Sequence, residues 1–592
     1  MTQMEKTLPV KALPSPLSSP ARPTFFNRQM LWVVVFIGLL AWALLESGIF
    51  RQELINPGGF TLALQFLAAS LQPELGAEFI RLTLQATLTT LAFAVIGIFL
   101  SAIFGFFGGI FASHTWVKSF TTARTDQELP PIMRGLWLAL RWVLTLFRSV
   151  HELIWALIFV AIIGLDPLSA ILAIAIPFAA IFAKVFSEII DETDQRPFNA
   201  LLNSGVSPTK AFLYSLLPLT FTDLLSYSFY RFECAIRAAA VLGIVGVGGL
   251  GFQIFLSLQT LKFPQIWTLL IALLALNGLA DLWSSILRRR LGVESRCDGR
   301  CLDLEAVQST RTAANPIYQD RVVRASIVIA ILLVPLSFWY INPDFGKLFS
   351  ERSYQNMLTL AQGAFPPNFS IFSLGKWLDL SRATLAMSFL GVALASLAAI
   401  LLAFPAANIF LNQDESRATE RSGRGSRFLA GAILVITRGL LLILRSIPAP
   451  IWALMLLFIL FPGILPGALA LGIYTLGVMG RLLAEVVENL DQRPLNALKA
   501  QGASRTGVFM YGALPPMLPR FISYFLYRWE EIIRATVVVG LVGAGGLGRS
   551  LTEQLSGFNY PAVFAILIVF ILITFIVDLV SQSARKTLRQ VG

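Results

Sequence analysis

The sequence predicts an all-α integral membrane protein of about 12 transmembrane helices, built as two parallel six-helix repeats. Of its 592 residues 56% are hydrophobic and only 14% charged, and the apolar residues gather in long runs. The chain is also written twice in phase: residues 188–218 and 485–515 match at 15 of 31 positions without a gap, an offset of 297. Each copy holds an even number of apolar runs, so each begins and ends on one membrane face, and the copies are related by rotation rather than inversion.

In chain order the first copy offers runs at 29–48, 84–112, 135–163, 166–187, 224–256 and 264–286, and the same set recurs 297 residues later. Lipid cannot satisfy open backbone groups, so each run is expected to be helical. The third and fifth are long enough to hide a kink or a short turn. The first follows a basic tail, as a signal peptide does, but its counterpart at 325–341 is internal, so both are expected to be retained. The expected organisation is a tail (1–28), a first repeat (29–286), a basic linker (287–324), a second repeat (325–580) and a short tail (581–592). Duplicated halves of a membrane protein commonly enclose a pathway at their interface.

The formal charge of +12, from 46 Lys and Arg against 34 Asp and Glu, is confined to particular segments. Lys6, Lys11, Arg22 and Arg28, then Lys118, Arg124 and Arg134, the linker, and Arg585, Lys586 and Arg589 all fall on one predicted side, whereas the segment 49–80 offers only Arg51 as a base. The positive-inside rule puts both termini, the linker and the repeated polar loops in the cytoplasm, and the 342–380 loop outside. The basic excess therefore implies membrane lipid and not nucleic acid. Cys234, Cys297 and Cys301 make no disulfide framework, and Cys297-Asp-Gly-Arg-Cys301 lacks further ligands, so no metal is expected. No Gly-x-x-x-x-Gly-Lys-Ser/Thr run occurs, so ATP and its Mg are expected on partner subunits. His114 and His151 have no repeated Ser or Asp companions, which leaves no catalytic residue and no enzyme chemistry.

A polar segment repeated this faithfully in an apolar chain is expected to be a docking site. Its shared residues include Asp194, Arg196, Asn199, Ala200, Leu201, Gly205, Tyr214, Leu217 and Pro218, and Asp491, Arg493, Asn496, Ala497, Leu498, Gly502, Tyr511, Leu514 and Pro515. The spacing of Ala, Gly and Leu-Pro resembles the cytoplasmic signature of permease subunits of bacterial ATP-binding cassette importers. In both copies Asn stands where that family has Glu, and Asp194 and Asp491 are the nearby acids that could replace it. Arg148-Ser149 and Arg445-Ser446 before Ile-Trp-Ala-Leu-type spans, then Tyr-Arg-x-Glu-x-x-Ile-Arg and a glycine run, resemble the phosphonate transporter permease over roughly 80–290 and 380–580. The resemblance implies two such permeases fused, two ATPase subunits seated on the repeated loops, an extracytoplasmic binding protein, residence in the bacterial plasma membrane, and a cargo of phosphonate, phosphite or phosphate. A permease for another small anion or an amino acid is the alternative, and a secondary transporter a further one.

A charge in mid-bilayer is costly unless paired or facing water. Glu233 and Arg237 are four residues apart on one helical face, and Glu530 and Arg534 are expected to repeat the pair. With Arg148, Arg231, Arg445 and Arg528 the surplus is cationic, as the route of an oxyanion requires. Salt bridges between spans, or snorkelling to head groups, would use the same residues. Gly246, Gly248 and Gly249 with Gly543, Gly545 and Gly546 formally satisfy a dinucleotide fingerprint, but they end an apolar span rather than follow a strand. They are expected to permit close helix contact or a bend.

Overall fold

The computed structural model describes residues 28–49, 55–120, 130–291, 320–407, 424–504 and 507–589. The Cys297–Cys301 pair and the basic residues Lys6, Lys11, Arg22 and Arg124 lie outside them. The first half comprises α1 (Arg28–Glu46), α2 (Pro57–Ala69), α3 (Ala77–Ala112), α4 (Pro131–Ser149), α5 (Glu152–Ile163), α6 (Pro167–Glu192), α7 (Arg196–Asn203), α8 (Leu217–Leu242), α9 (Gly249–Gln259) and α10 (Phe263–Arg290). The second repeats it as α11 (Arg321–Ile341), α12 (Glu351–Ala364), α13 (Leu374–Ala406), α14 (Arg424–Ser446), α15 (Ala449–Ile459), α16 (Ile464–Glu488), α17 (Gln492–Ala500), α18 (Leu514–Val539), α19 (Gly546–Ser556) and α20 (Tyr560–Arg589).

Seven of the described helices are long and apolar enough to cross a membrane alone, and four bent pairs raise the number to 11. The apolar part of α1, Val34–Glu46, occupies the place of the remaining expected span. The runs at 135–163 and 224–256, long enough to hide a kink, are each bent: α4 meets α5 at 86°, and the helix ending in Val247 meets α9 at 56°. Their twins bend by 93° and 65°. Extended backbone at Val150 makes the first bend, and Pro448 occupies the matching corner of the second half. At the other bends Gly246 (φ 99°), Gly248 (φ 106°), Gly543 (φ 109°) and Gly545 (φ 91°) adopt left-handed backbone that glycine enters without a Cβ penalty.

Each half is centred on one tight helix pair, α3 on α6 and α13 on α16. Small residues make the approach possible, since a Cβ at Gly109 would sit 2.7 Å from Phe186 Cβ and one at Gly391 2.9 Å from the Ala468 carbonyl. The bends are tied back onto these pairs. Leu250 N–H donates to Thr90 Oγ1 at 2.8 Å, and Leu547 N–H to Thr384 Oγ1 at 3.0 Å, with both threonines buried. Thr90→Val is therefore expected to leave a buried N–H unsatisfied and cost about 1–3 kcal/mol in thermal unfolding, with Thr90→Ser close to the parent.

The two halves are interleaved. α1 lies on α13 of the opposite half, with Phe36 5.4 Å from Phe389 and 4.9 Å from Phe525 between ring centres. Reciprocally α11 lies on α3, where the Phe99 and Phe338 rings are 6.3 Å apart and Tyr340 Oη is 3.3 Å from Thr89 Oγ1. The α2 and α12 helices are exchanged too: Asn56 N–H donates to the Ile459 carbonyl at 2.8 Å, and Asn356 Nδ2 to the Ile162 carbonyl at 2.9 Å. Across the linker, Asp320 caps α11 through Val322 N–H at 2.8 Å and meets Arg290 at 3.0 Å. Arg290 and those backbone donors hold the Asp320 carboxyl below its usual range.

Candidate coupling loops and an arginine-lined cavity

Each repeated polar loop folds as a short helix followed by a tight turn. Pro197 and Pro494 sit in the first turns, where a missing N–H costs nothing. Asp491, the N-cap of α17, accepts from Arg493 N–H through Oδ1 at 2.9 Å, and Asp194, one residue ahead of the Gln195 N-cap of α7, accepts from Arg196 N–H at 3.1 Å. At the far ends Gly205 (φ 83°) and Gly502 (φ 81°) are left-handed, and Val206 N–H and Ala503 N–H return to the Leu201 and Leu498 carbonyls at 3.1 Å each. This is the glycine-terminated helix end in which orphan carbonyls are satisfied. Leu-Pro has its own role: Pro218 and Pro515 lack an N–H, and the turns before them widen into π-helix at Phe212–Leu216 and Val508–Ala513.

Phe198 is buried, whereas Asn199, Ala200, Asn496 and Ala497 face outward. Tyr214 and Tyr511 are 79% and 81% exposed, a matched pair of aromatic rings beside matched helices. The first loop is also tied to the short helix His114–Phe120, since Asp191 accepts from Ser113 Oγ at 2.6 Å and from His114 and Thr115 N–H at 3.0 Å each. Asp191→Ala is expected to free that anchor and cost about 1–3 kcal/mol locally, seen as faster proteolysis of the 194–207 segment with the 491–504 segment unaffected.

A cavity of about 180 Å³ lies between the halves. Arg148, Arg231 and Arg237 reach it from one half and Arg528 and Arg534 from the other, along with the carboxylates Glu152 and Glu531. Five guanidinium groups against two carboxylates, among the described residues, make it cationic. Glu233, Arg445, Glu530 and the six predicted glycines are not among its lining residues; the glycines form the bends, and the others belong to buried ion-pair networks. Glu233 accepts from Arg237 at 2.6 Å and from Arg445 at 3.0 Å, while Arg445 also meets Asp281 at 2.6 Å. Asp281 is further bonded to Arg481. The expected repeat of this pair does not form: Glu530 is bonded to Arg585, and Arg148, the twin of Arg445, stands 3.9 Å from Asp578.

Asp281, Asp578, Arg481 and Tyr474 are the residues the sequence reading missed. The two aspartates stand 297 positions apart inside apolar spans, so the repeat that marked the loops marks them as well. Arg481 and Tyr474 have no such sign, since Lys184 and Pro177 occupy their twin positions.

A duplicated helical membrane protein with two exposed, repeated polar loops and a cavity between its halves has the make-up of a transport permease. Residues 134–293 and 425–590 both match the binding-protein-dependent transport system inner membrane component, and the chain belongs to that family. It is thus a multi-pass inner-membrane permease subunit of an ATP-binding cassette importer, not an enzyme, and works with an ATPase and a substrate-binding protein. The chain is 26% identical to the phosphate-import permease protein of Mycolicibacterium smegmatis, over 84% of each chain. It is 34% identical to the phosphite transport system permease protein of Stutzerimonas stutzeri over 44% of this chain and 88% of that one. A putative cryptic phosphonate transport system permease protein of Escherichia coli is 42% identical over 20% of this chain and 97% of its own. No solved structure matches the chain.

Proposed function

We propose that this permease imports a tetrahedral phosphorus oxyanion, phosphonate, phosphite or phosphate, by alternating access between its two halves. The observation that carries this reading is the cationic cavity at their interface. The named cargoes of the similar permeases are of the same chemical kind. The loops at 188–218 and 485–515 each seat one of two ATPase subunits in the cytoplasm, with both termini on that side, and their exposed Tyr214 and Tyr511 enter the contact. A binding protein delivers cargo from outside, closure of the ATPase dimer drives the α7 and α17 helices together, and the halves rock about the cavity. ATP and Mg belong to the ATPase.

The test is substrate-stimulated ATP hydrolysis by the chain reconstituted with its ATPase and binding protein, comparing methylphosphonate, phosphite, phosphate and methionine. Stimulation by a phosphorus oxyanion alone supports the reading. Stimulation by methionine alone sinks the cargo assignment while leaving the importer intact.

A further inference from the structure

The five arginines that reach the cavity differ in what already holds their charge. Arg237 is bound to Glu233 at 2.6 Å. Arg231 Nε donates to Tyr227 Oη at 3.0 Å, and its guanidinium lies 5.0 Å above the Phe178 ring. Arg528 is bonded to Glu531. Two remain. Among the described residues Arg534 makes no hydrogen bond or ion pair, and the buried Nε of Arg148 has no partner, with Asp578 3.9 Å from that side chain.

These two come from opposite halves, line one cavity, and are close enough for their charges to repel. Their symmetry twins are both already paired, Arg237 with Glu233, and Arg445 with Glu233 and Asp281. Neither of the cavity's carboxylates is bonded to the pair: Glu531 is bonded to Arg528 and acts on Arg534 only at a distance, and Glu152 makes no ion pair with either arginine among the described residues. Like charges held together at a buried interface repel strongly, and an anion offering several oxygens to two guanidinium forks relieves that repulsion.

We infer that Arg148 and Arg534 form a one-sided oxyanion clamp across the interface, each guanidinium taking oxygens of the same phosphorus oxyanion. The clamp rests on the cargo reading above and adds its specificity residues. It breaks the two-fold symmetry, because the mirror-related clamp of Arg445 and Arg237 is closed by acids. It also opens whenever the halves separate, since its two groups belong to different halves, so cargo is held in one state of the rocking cycle and released in the other.

The experiment uses the complete permease with its ATPase and binding protein in proteoliposomes and follows uptake of methylphosphonate, phosphite, phosphate, sulfate and methionine. Arg534→Gln and Arg148→Gln are each expected to cut uptake of the transported oxyanion at least tenfold, with Arg534→Lys recovering part of it. Melting temperature separates lost cargo contact from lost folding, and Arg534→Lys keeps the test open if glutamine unfolds the chain. Wild-type uptake of a phosphorus oxyanion with Arg534→Gln and Arg148→Gln both at the parental rate overturns the clamp and leaves the cargo reading standing. Uptake of sulfate alone, lost in the same variants, keeps the clamp and overturns the cargo reading. Uptake of methionine alone overturns both.

Discussion

Arg445→Gln is expected to destabilise the protein by about 3 kcal/mol, because two buried carboxylates each lose one charge-assisted hydrogen bond worth roughly 1.5–3 kcal/mol. Glu233 is 3% exposed, and Arg445 reaches it across the interface at 3.0 Å while also holding Asp281 at 2.6 Å. Glu233 would retain Arg237, and Asp281 would retain Arg481, so the network would be thinned rather than erased. The same change at the twin position, Arg148→Gln, is expected to cost less, about 1–2 kcal/mol, since it removes a single longer contact, at 3.9 Å, from the buried Asp578. Thermal unfolding of the full chain in nanodiscs measures both. Equal losses at 445 and 148 would show that the halves are fastened symmetrically, against the geometry described.

The second large effect is expected at the bends. A Cβ at Gly548 would lie 2.8 Å from the Val537 carbonyl oxygen, and one at Gly251 would press on the Ala240 carbonyl more closely still. Both obstacles are backbone, so no side chain can swing aside. Gly251→Val and Gly548→Val are each expected to cost at least the upper part of the roughly 1–3 kcal/mol typical of overpacking, and to abolish uptake by forcing α9 or α19 away from its span. Gly246→Ala is the milder comparison. Its Cβ would meet Leu165 Cδ2 at 3.4 Å, leaving mainly the left-handed backbone to oppose it, at roughly 1–2 kcal/mol. Protein yield, melting temperature and uptake should fall in that order. A Gly251→Val chain that folds and transports like the parent would mean the bend is not fixed by this contact.

The spans and the repeated polar loops were legible in the sequence because both are local. Apolar run length gives the first, and in-phase identity at an offset of 297 gives the second. Leu201, Gly205 and Pro218 could be marked as important before their reason was visible; the structure supplies it as a helix end and a π-turn. Bends were harder. Val150 carries no breaker signature, so the 86° corner beside it is set by packing rather than by propensity. Ion-pair partners were hardest of all. The spacing of Glu530 and Arg534 equals that of Glu233 and Arg237, yet Arg585 from α20 takes Glu530 instead. Helical spacing says which residues can meet within a helix, not which partner a neighbouring helix will offer.

The exchanged helices bear on how the protein is made. Phe36 packs on Phe389, a residue synthesised 353 positions later, which at ordinary translation rates of ~5–20 residues per second is an interval of roughly 20–70 s. Throughout that interval α1 is a lone helix in the bilayer, surrounded by lipid where α13 will later lie. The first half therefore cannot complete its packing during its own synthesis, and any chaperone that attends this permease has its longest engagement with the segment that emerges first.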